Sequence, residues 1–137
     1  MLKLSAFINA FEFMDEEESW INLETGEVYK RWHFETEDMD EEEIEEFFWQ
    51  NKIISLPMCF ELNEYKDMVL FADSINNDEI RNKLYKALNG KGAFSRFKKE
   101  IAYLGIREKW FLFRDERLKE KVKQWLEDNE IEYIEDK

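Results

Sequence analysis

From Glu35 to Glu46 only Thr36, Met39 and Ile44 are not carboxylates, and a stretch of that charge density cannot be packed inward. The fold must carry this tract on its outside and draw its core from elsewhere. The supply elsewhere is ample. The 137 residues include 12 Phe, 5 Trp and 5 Tyr, each able to bury about 150–250 Å². Disordered chains of comparable charge are poor in such residues. A length inside the common domain range of about 100–150 residues predicts one domain over residues 1–137, with an aromatic core inside a charged shell.

The net charge of −13 is unevenly laid out: residues 1–79 carry 22 acids against 5 bases, and residues 80–137 carry 11 against 15. A balance of −17 is thus followed by one of +4. Arg81, Lys83, Lys86, Lys91, Arg96, Lys98 and Lys99 crowd the segment from Ile80 to Lys99, which has no acid. Two readings follow. The two halves neutralise each other across the fold or across a dimer, or they form two faces, one of which recruits an oppositely charged partner. Cys59 is the only cysteine, so no internal disulfide is available and a reducing compartment is expected. The first residues lack a signal-peptide pattern, and no apolar run approaches the roughly 18–20 residues that span a bilayer. A cytoplasmic protein without membrane association is predicted.

Leu4, Phe7, Ile8 and Phe11 fall at i, i+3, i+4 and i+7 and predict a helix with one buried face. Trp20-Ile21-Asn22-Leu23-Glu24, Thr25-Gly26 and Glu27-Val28-Tyr29-Lys30-Arg31-Trp32 read as two strands around a glycine turn. A surface helix is expected from about Asp40, and a third strand over Ile53-Ile54-Ser55-Leu56, stopped by Pro57. Tyr65, Met68, Val69 and Ala72 mark another helix, and Asn76-Asn77-Asp78 caps the next. A helix from Ala93 to Tyr103 and one lined by Leu118, Val122, Trp125 and Leu126 follow. Trp110-Phe111-Leu112-Phe113 fits either strand or helix, and Ile131–Ile134 suits a short last strand. Strands early and helices late give an α+β class: a small antiparallel sheet, an early hairpin plus one or two strands, packed with about five helices.

The most pointed chemistry lies in Gly90-Lys91-Gly92-Ala93-Phe94-Ser95-Arg96-Phe97-Lys98-Lys99. Two glycines free the backbone to expose N–H groups at a helix start, where partial positive charge attracts anions. Gly90, Lys91, Gly92, Ser95, Arg96, Lys98 and the later Arg114 are therefore the anion-binding candidates, although the spacing is not that of a Walker loop. The blander reading ends one helix at Gly90 and starts the next at Gly92. Phe94, Phe97 and Trp110 are expected to rim the basic surface. Aromatics among bases also resemble a nucleic-acid surface, but the net charge repels polyanions. Asp38, Asp40, Glu41, Glu42 and Glu43 are the acidic-surface candidates, either as a decoy for a basic protein partner or as a solvated face. They lack the glycine and alternation of a calcium hand. His33, the only histidine, leaves Cys59/His33 as a conceivable dyad and Glu12/Glu61 as a conceivable carboxylate pair. The residues present no catalytic signature, no metal site and no cofactor motif. A binding or regulatory module, an acidic decoy and an enzyme with a carboxylate or cysteine site all stay open.

Several pieces occur in an order found elsewhere: Ala10-Phe11-Glu12, Leu23-x-Thr25-Gly26-Glu27-Val28, Leu56-Pro57 and Met68-x-x-Phe71-Ala72. Ala87-Leu88-x-Gly90-Lys91-Gly92-Ala93-Phe94-x-Arg96-Phe97-Lys98, Trp110-x-x-Phe113-Arg114 and Trp125-Leu126 complete the set. The chain resembles bacterial family 0158 of the uncharacterised protein (UPF) series. It departs where Trp20-Ile21-Asn22 replaces a tyrosine-rich strand ending in Asp, and in its longer acidic tract. The resemblance implies a bacterial, cytoplasmic, housekeeping-type protein and brings no catalytic residues.

Overall fold

Asn22 shows how local chemistry sets the sheet. Its Oδ1 accepts hydrogen bonds from the backbone N–H of Glu24 at 2.8 Å and Thr25 at 3.2 Å. The Gly26 N–H donates to the Asn22 carbonyl at 2.8 Å, closing the turn between β1 (Ser19–Asn22) and β2 (Val28–Lys30). The computed structural model describes residues 1–12, 17–57 and 62–136. Among these, β3 (Ile53–Ser55) completes an antiparallel sheet of order β2-β1-β3, with Trp20 opposite Tyr29 on one side and Ser55 on the other. The helices are α1 (Leu4–Glu12), α2 (Arg31–Thr36), α3 (Glu41–Gln50), α4 (Glu64–Ser74), α5 (Asp78–Ala87), α6 (Ala93–Tyr103) and α7 (Arg107–Asp128). The class is α+β, as the sequence predicts, with two helices more than expected. No helix among the described residues is long and apolar enough to cross a membrane.

The additional helical residues, α2 and the first turns of α7, have identifiable causes. The second hairpin arm stops at Lys30 because the Lys30 N–H donates to Nδ1 of His33 at 2.9 Å, which caps the start of α2. Arg31 and Trp32 consequently leave the strand. Trp110 through Phe113 resolve as helix because Trp110 is needed inward at 2% exposure and Phe113 packs beside it, a spacing of three that only a helix supplies. Ile131–Ile134 forms a single parallel bridge, Lys3 with Ile134, in place of a strand.

The chain groups into two compact units, residues 1–62 with 120–137 and residues 63–119. In the first, Leu4, Phe7, Ala10 and Phe11 are buried along α1. The rings of Phe7 and Phe11 lie 6.2 and 5.4 Å from Trp125. Phe34 of α2 packs among Trp20, Tyr29, Phe47 and Phe48 at centroid distances of 5.4–6.1 Å. The acidic tract is exposed, as its charge requires.

In the second unit Met68, Phe71 and Ala72 of α4, Leu84 of α5, Leu88, Phe97 and Ile101 of α6, Ile106 and Trp110 form one buried cluster. Phe97 has no exposed surface and its ring lies 5.0 Å from Trp110 in an edge-on contact. Edge-to-face pairs of this kind add about 0.5–1.5 kcal/mol beyond the area they bury. Phe97 is therefore core and cannot stack on a ligand. Two ion pairs run in register between α4 and α7, Glu64 with Arg114 at 2.8 Å and Asp67 with Arg117 at 3.0 Å. The spacing of three on both helices keeps both pairs on facing sides.

Candidate functional site

The Gly90–Gly92 turn takes the geometry of a helix end followed at once by a helix start. Gly90 and Gly92 have φ of +82° and +78°, a left-handed backbone that side chains disfavour. A Cβ at Gly92 would also sit 3.1 Å from Nη1 of Arg96. The Arg96 guanidinium reaches back over the turn. Its Nε donates to the Ala87 carbonyl at 3.0 Å, its Nη2 to Asn89 at 2.5 Å and Gly90 at 3.3 Å, and its Nη1 to Lys91. A cation at the carbonyl end of α5 is placed where the helix dipole favours it. Four of its five donors are committed in this way. Arg96 fastens the turn.

The other bases of this segment divide. Arg81 pairs with Asp78, and Lys83 with Glu79 at 3.6 Å. Among the described residues no carboxylate lies within ion-pair range of Lys86, Lys91, Lys98 or Lys99. The positive surface is only partly neutralised.

One of these lysines opens onto a cleft. Lys98, Ile101 and Ala102 of α6, Arg107, Trp110, Phe111 and Arg114 of α7, and Glu64 of α4 line a depression of 310 Å³, at the lower end of the roughly 300–1,000 Å³ of small-molecule sites. Ile101 and Trp110, each 2% exposed, make its apolar base. The Arg107 guanidinium carbon stands 5.2 Å from the centroid of the Phe111 ring, a cation–π arrangement. Arg114 donates from Nε to Glu64 at 2.8 Å. Three cations thus line the same cleft, and one of them, Arg114, is paired with the carboxylate of Glu64.

Of the sequence-derived candidates, Lys98 and Arg114 meet in this cleft. Gly90, Lys91, Gly92, Ser95 and Arg96 build and flank the turn that starts α6 and do not line it. Arg107, Phe111 and Glu64 belong to the cleft and were not singled out by the sequence. The signal was present: Arg107, Phe111 and Arg114 stand at i, i+4 and i+7, one face of a helix, but it is visible only once residues 110–113 are read as helical. Trp110, expected at the rim, lines the cleft as a buried residue. Phe94 is exposed but outside it.

The acidic candidates have a local role. Asp40 caps α3, its carboxylate accepting from the Glu43 N–H at 2.9 Å while Glu43 reaches back toward the Asp40 N–H at 3.5 Å. Glu41, Glu42 and Glu43 fill the first turn, where carboxylates offset the helix dipole. Asp38 precedes them at a φ of +54°. All five are exposed.

His33 is stacked on Trp32 at 3.8 Å. Its proposed partner Cys59 lies outside the described residues, as does Glu61 of the Glu12/Glu61 pair. Hydrogen bonds displace three titrations. Glu27 raises Tyr29, Asp73 raises Tyr85, and Ser5 lowers Asp136. None of these three lines the cleft.

Comparison with known proteins finds no curated protein and no solved structure that matches. A family model matches residues 1–137, and the chain, resembling that family piece by piece in its sequence, belongs to the uncharacterised protein family UPF0158.

Proposed function

We propose that the protein is a non-enzymatic binding module that recognises a small anionic ligand in the cleft between α6 and α7. One observation carries this reading: Lys98, Arg107 and Arg114 line a concave surface with Glu64 as the only carboxylate among the described residues of its lining. Cations with so little local compensation raise the concentration of anions near them, and the buried apolar base of Ile101 and Trp110 lowers the local dielectric and strengthens each contact. In this reading the Gly90–Gly92 turn and Arg96 position α6 and leave the ligand to Lys98. The carboxylates from Asp38 to Glu43 start α3 and take no part.

Isothermal titration calorimetry at low ionic strength, with inorganic phosphate and pyrophosphate as probes, tests the reading. Saturable binding should weaken as salt is added and should vanish in the triple variant Lys98→Ala, Arg107→Ala, Arg114→Ala, whose circular dichroism stays that of the parent. All three side chains are exposed, so the fold does not depend on burying them. Absence of saturable binding to either probe overturns the proposal, and so does binding that survives in the triple variant.

A further inference from the structure

We infer that the ligand of this cleft is a small phosphomonoester carrying a flat ring, the chemistry of a mononucleotide. The inference rests on the anion-binding reading and narrows it. Three features of the lining set the class.

The first is charge. Among the described residues of the lining, Lys98, Arg107 and Arg114 against Glu64 leave two net positive charges. A phosphomonoester carries about −1.5 to −2 at neutral pH, which this lining neutralises. A monocarboxylate leaves one charge unmatched, and a di- or triphosphate overruns it.

The second is the pose of Arg114. Its Nε is held by Glu64, and among the described residues neither terminal amino group has a protein partner. Glu64 fixes the rotation of the guanidinium and leaves the two-pronged edge available. That edge matches two oxygens of one phosphate. Lys98 adds a point charge without a fixed direction.

The third is a planar surface beside the phosphate. Phe111 is 41% exposed, and the Arg107 guanidinium is held against its ring at 5.2 Å. Together they offer a flat, polarisable face on which a heteroaromatic ring can stack. Base–aromatic stacking is worth about 1–3 kcal/mol in single-stranded nucleic-acid sites. A polymer is disfavoured by the net charge of −13, which repels each added phosphate, and a cleft of 310 Å³ has the capacity of a single small molecule.

Calorimetry on the full chain with four probes tests this: inorganic phosphate, ribose 5-phosphate, adenosine and adenosine monophosphate. The monophosphate should bind about tenfold tighter than ribose 5-phosphate, a gap of about 1.4 kcal/mol, and tighter than adenosine by more. Phe111→Ala should erase that gap, with Phe111→Leu as a second variant that keeps apolar area without a π face. Affinity for the monophosphate should fall as pH drops through about 6, where its second charge is lost. Glu64→Gln keeps an acceptor for Arg114 while adding one net positive charge, so it should shift preference about tenfold toward adenosine diphosphate, the scale of one charge-assisted contact. If all phosphates bind alike and Phe111→Ala changes nothing, the ring inference is overturned and the anion site stands. Tighter binding of longer oligonucleotides overturns the small-molecule class. If neither phosphate, pyrophosphate nor the monophosphate binds saturably, both readings fall together.

Discussion

Arg96 is the residue whose meaning changes most between sequence and structure. In the sequence it stands among lysines beside a glycine pair and reads as an anion contact. In the fold it bridges the carbonyls of Ala87, Asn89, Gly90 and Lys91. Charge-assisted hydrogen bonds contribute about 1.5–3 kcal/mol where they are sheltered, and Arg96 is exposed. Arg96→Ala should therefore lower unfolding free energy by about 1.5 kcal/mol in urea titrations, and Arg96→Lys should recover less than half, because an ammonium cannot reach several carbonyls in one plane. A variant as stable as the parent would show that the turn holds itself. The roles of Gly90 and Gly92 were legible in advance because a positive φ is a local requirement. That of Arg96 was not, since its acceptors lie 5–9 residues back and converge only when the turn has closed.

Elements were legible where an apolar period ran without interruption, as in α1, α4, α5 and α6, and less so where a tertiary contact decided the matter. The boundary between β2 and α2 depends on the His33 ring accepting from Lys30, which no local propensity encodes. The start of α3 is the opposite case, since an Asp followed three residues later by Glu is a helix signal in the sequence itself. Asp40→Ala should cost about 1 kcal/mol, and Asp40→Ser should cost little, both read from the urea midpoint. Equal loss in the two variants would mean that charge, not capping, matters at this position. The pairing of α4 with α7 is the strongest element-level contact that composition could not reveal. Asp67 is 2% exposed and its partner Arg117 is half-buried. Losing this charge-assisted contact should make Asp67→Ala less stable by about 2 kcal/mol. Asp67→Asn should be milder, keeping an acceptor for Nε. The candidate cleft was half legible for the same reason. Lys98 and Arg114 drew notice as bases near aromatics, whereas Glu64 and Arg107 acquire meaning only when α4, α6 and α7 are packed.

At the scale of the whole molecule, the sequence did not reveal what holds together residues far apart in the chain. Within the first unit, residues 2–5 are fastened to residues 134–136. The Leu4 N–H donates to the Ile134 carbonyl at 2.7 Å and the Ile134 N–H to Leu2 at 2.9 Å. Asp136 accepts from the Ser5 N–H at 2.9 Å and from its hydroxyl at 2.6 Å. Both bonds favour the ionised carboxylate, and they hold its pKa below the ordinary value of 3.8, with Lys3 assisting weakly. A carboxyl group depressed in the folded state stabilises that state wherever it is ionised in both states, and the benefit is lost as protons are added. The contribution of Asp136 should therefore be full at neutral pH, start to fall as pH approaches 3.8, and disappear once pH has passed below the depressed folded-state value. Thermal unfolding of the parent and of Asp136→Asn, measured from pH 7 downward, should give a difference in midpoint that closes in this acidic window. Ser5→Ala should show the same pH dependence at smaller amplitude, because the backbone bond remains. A difference that stays constant from pH 7 to pH 2 would mean that the contact works by shape alone, and the ionised form of Asp136 would then have no part in fastening Leu2–Ser5 to Ile134.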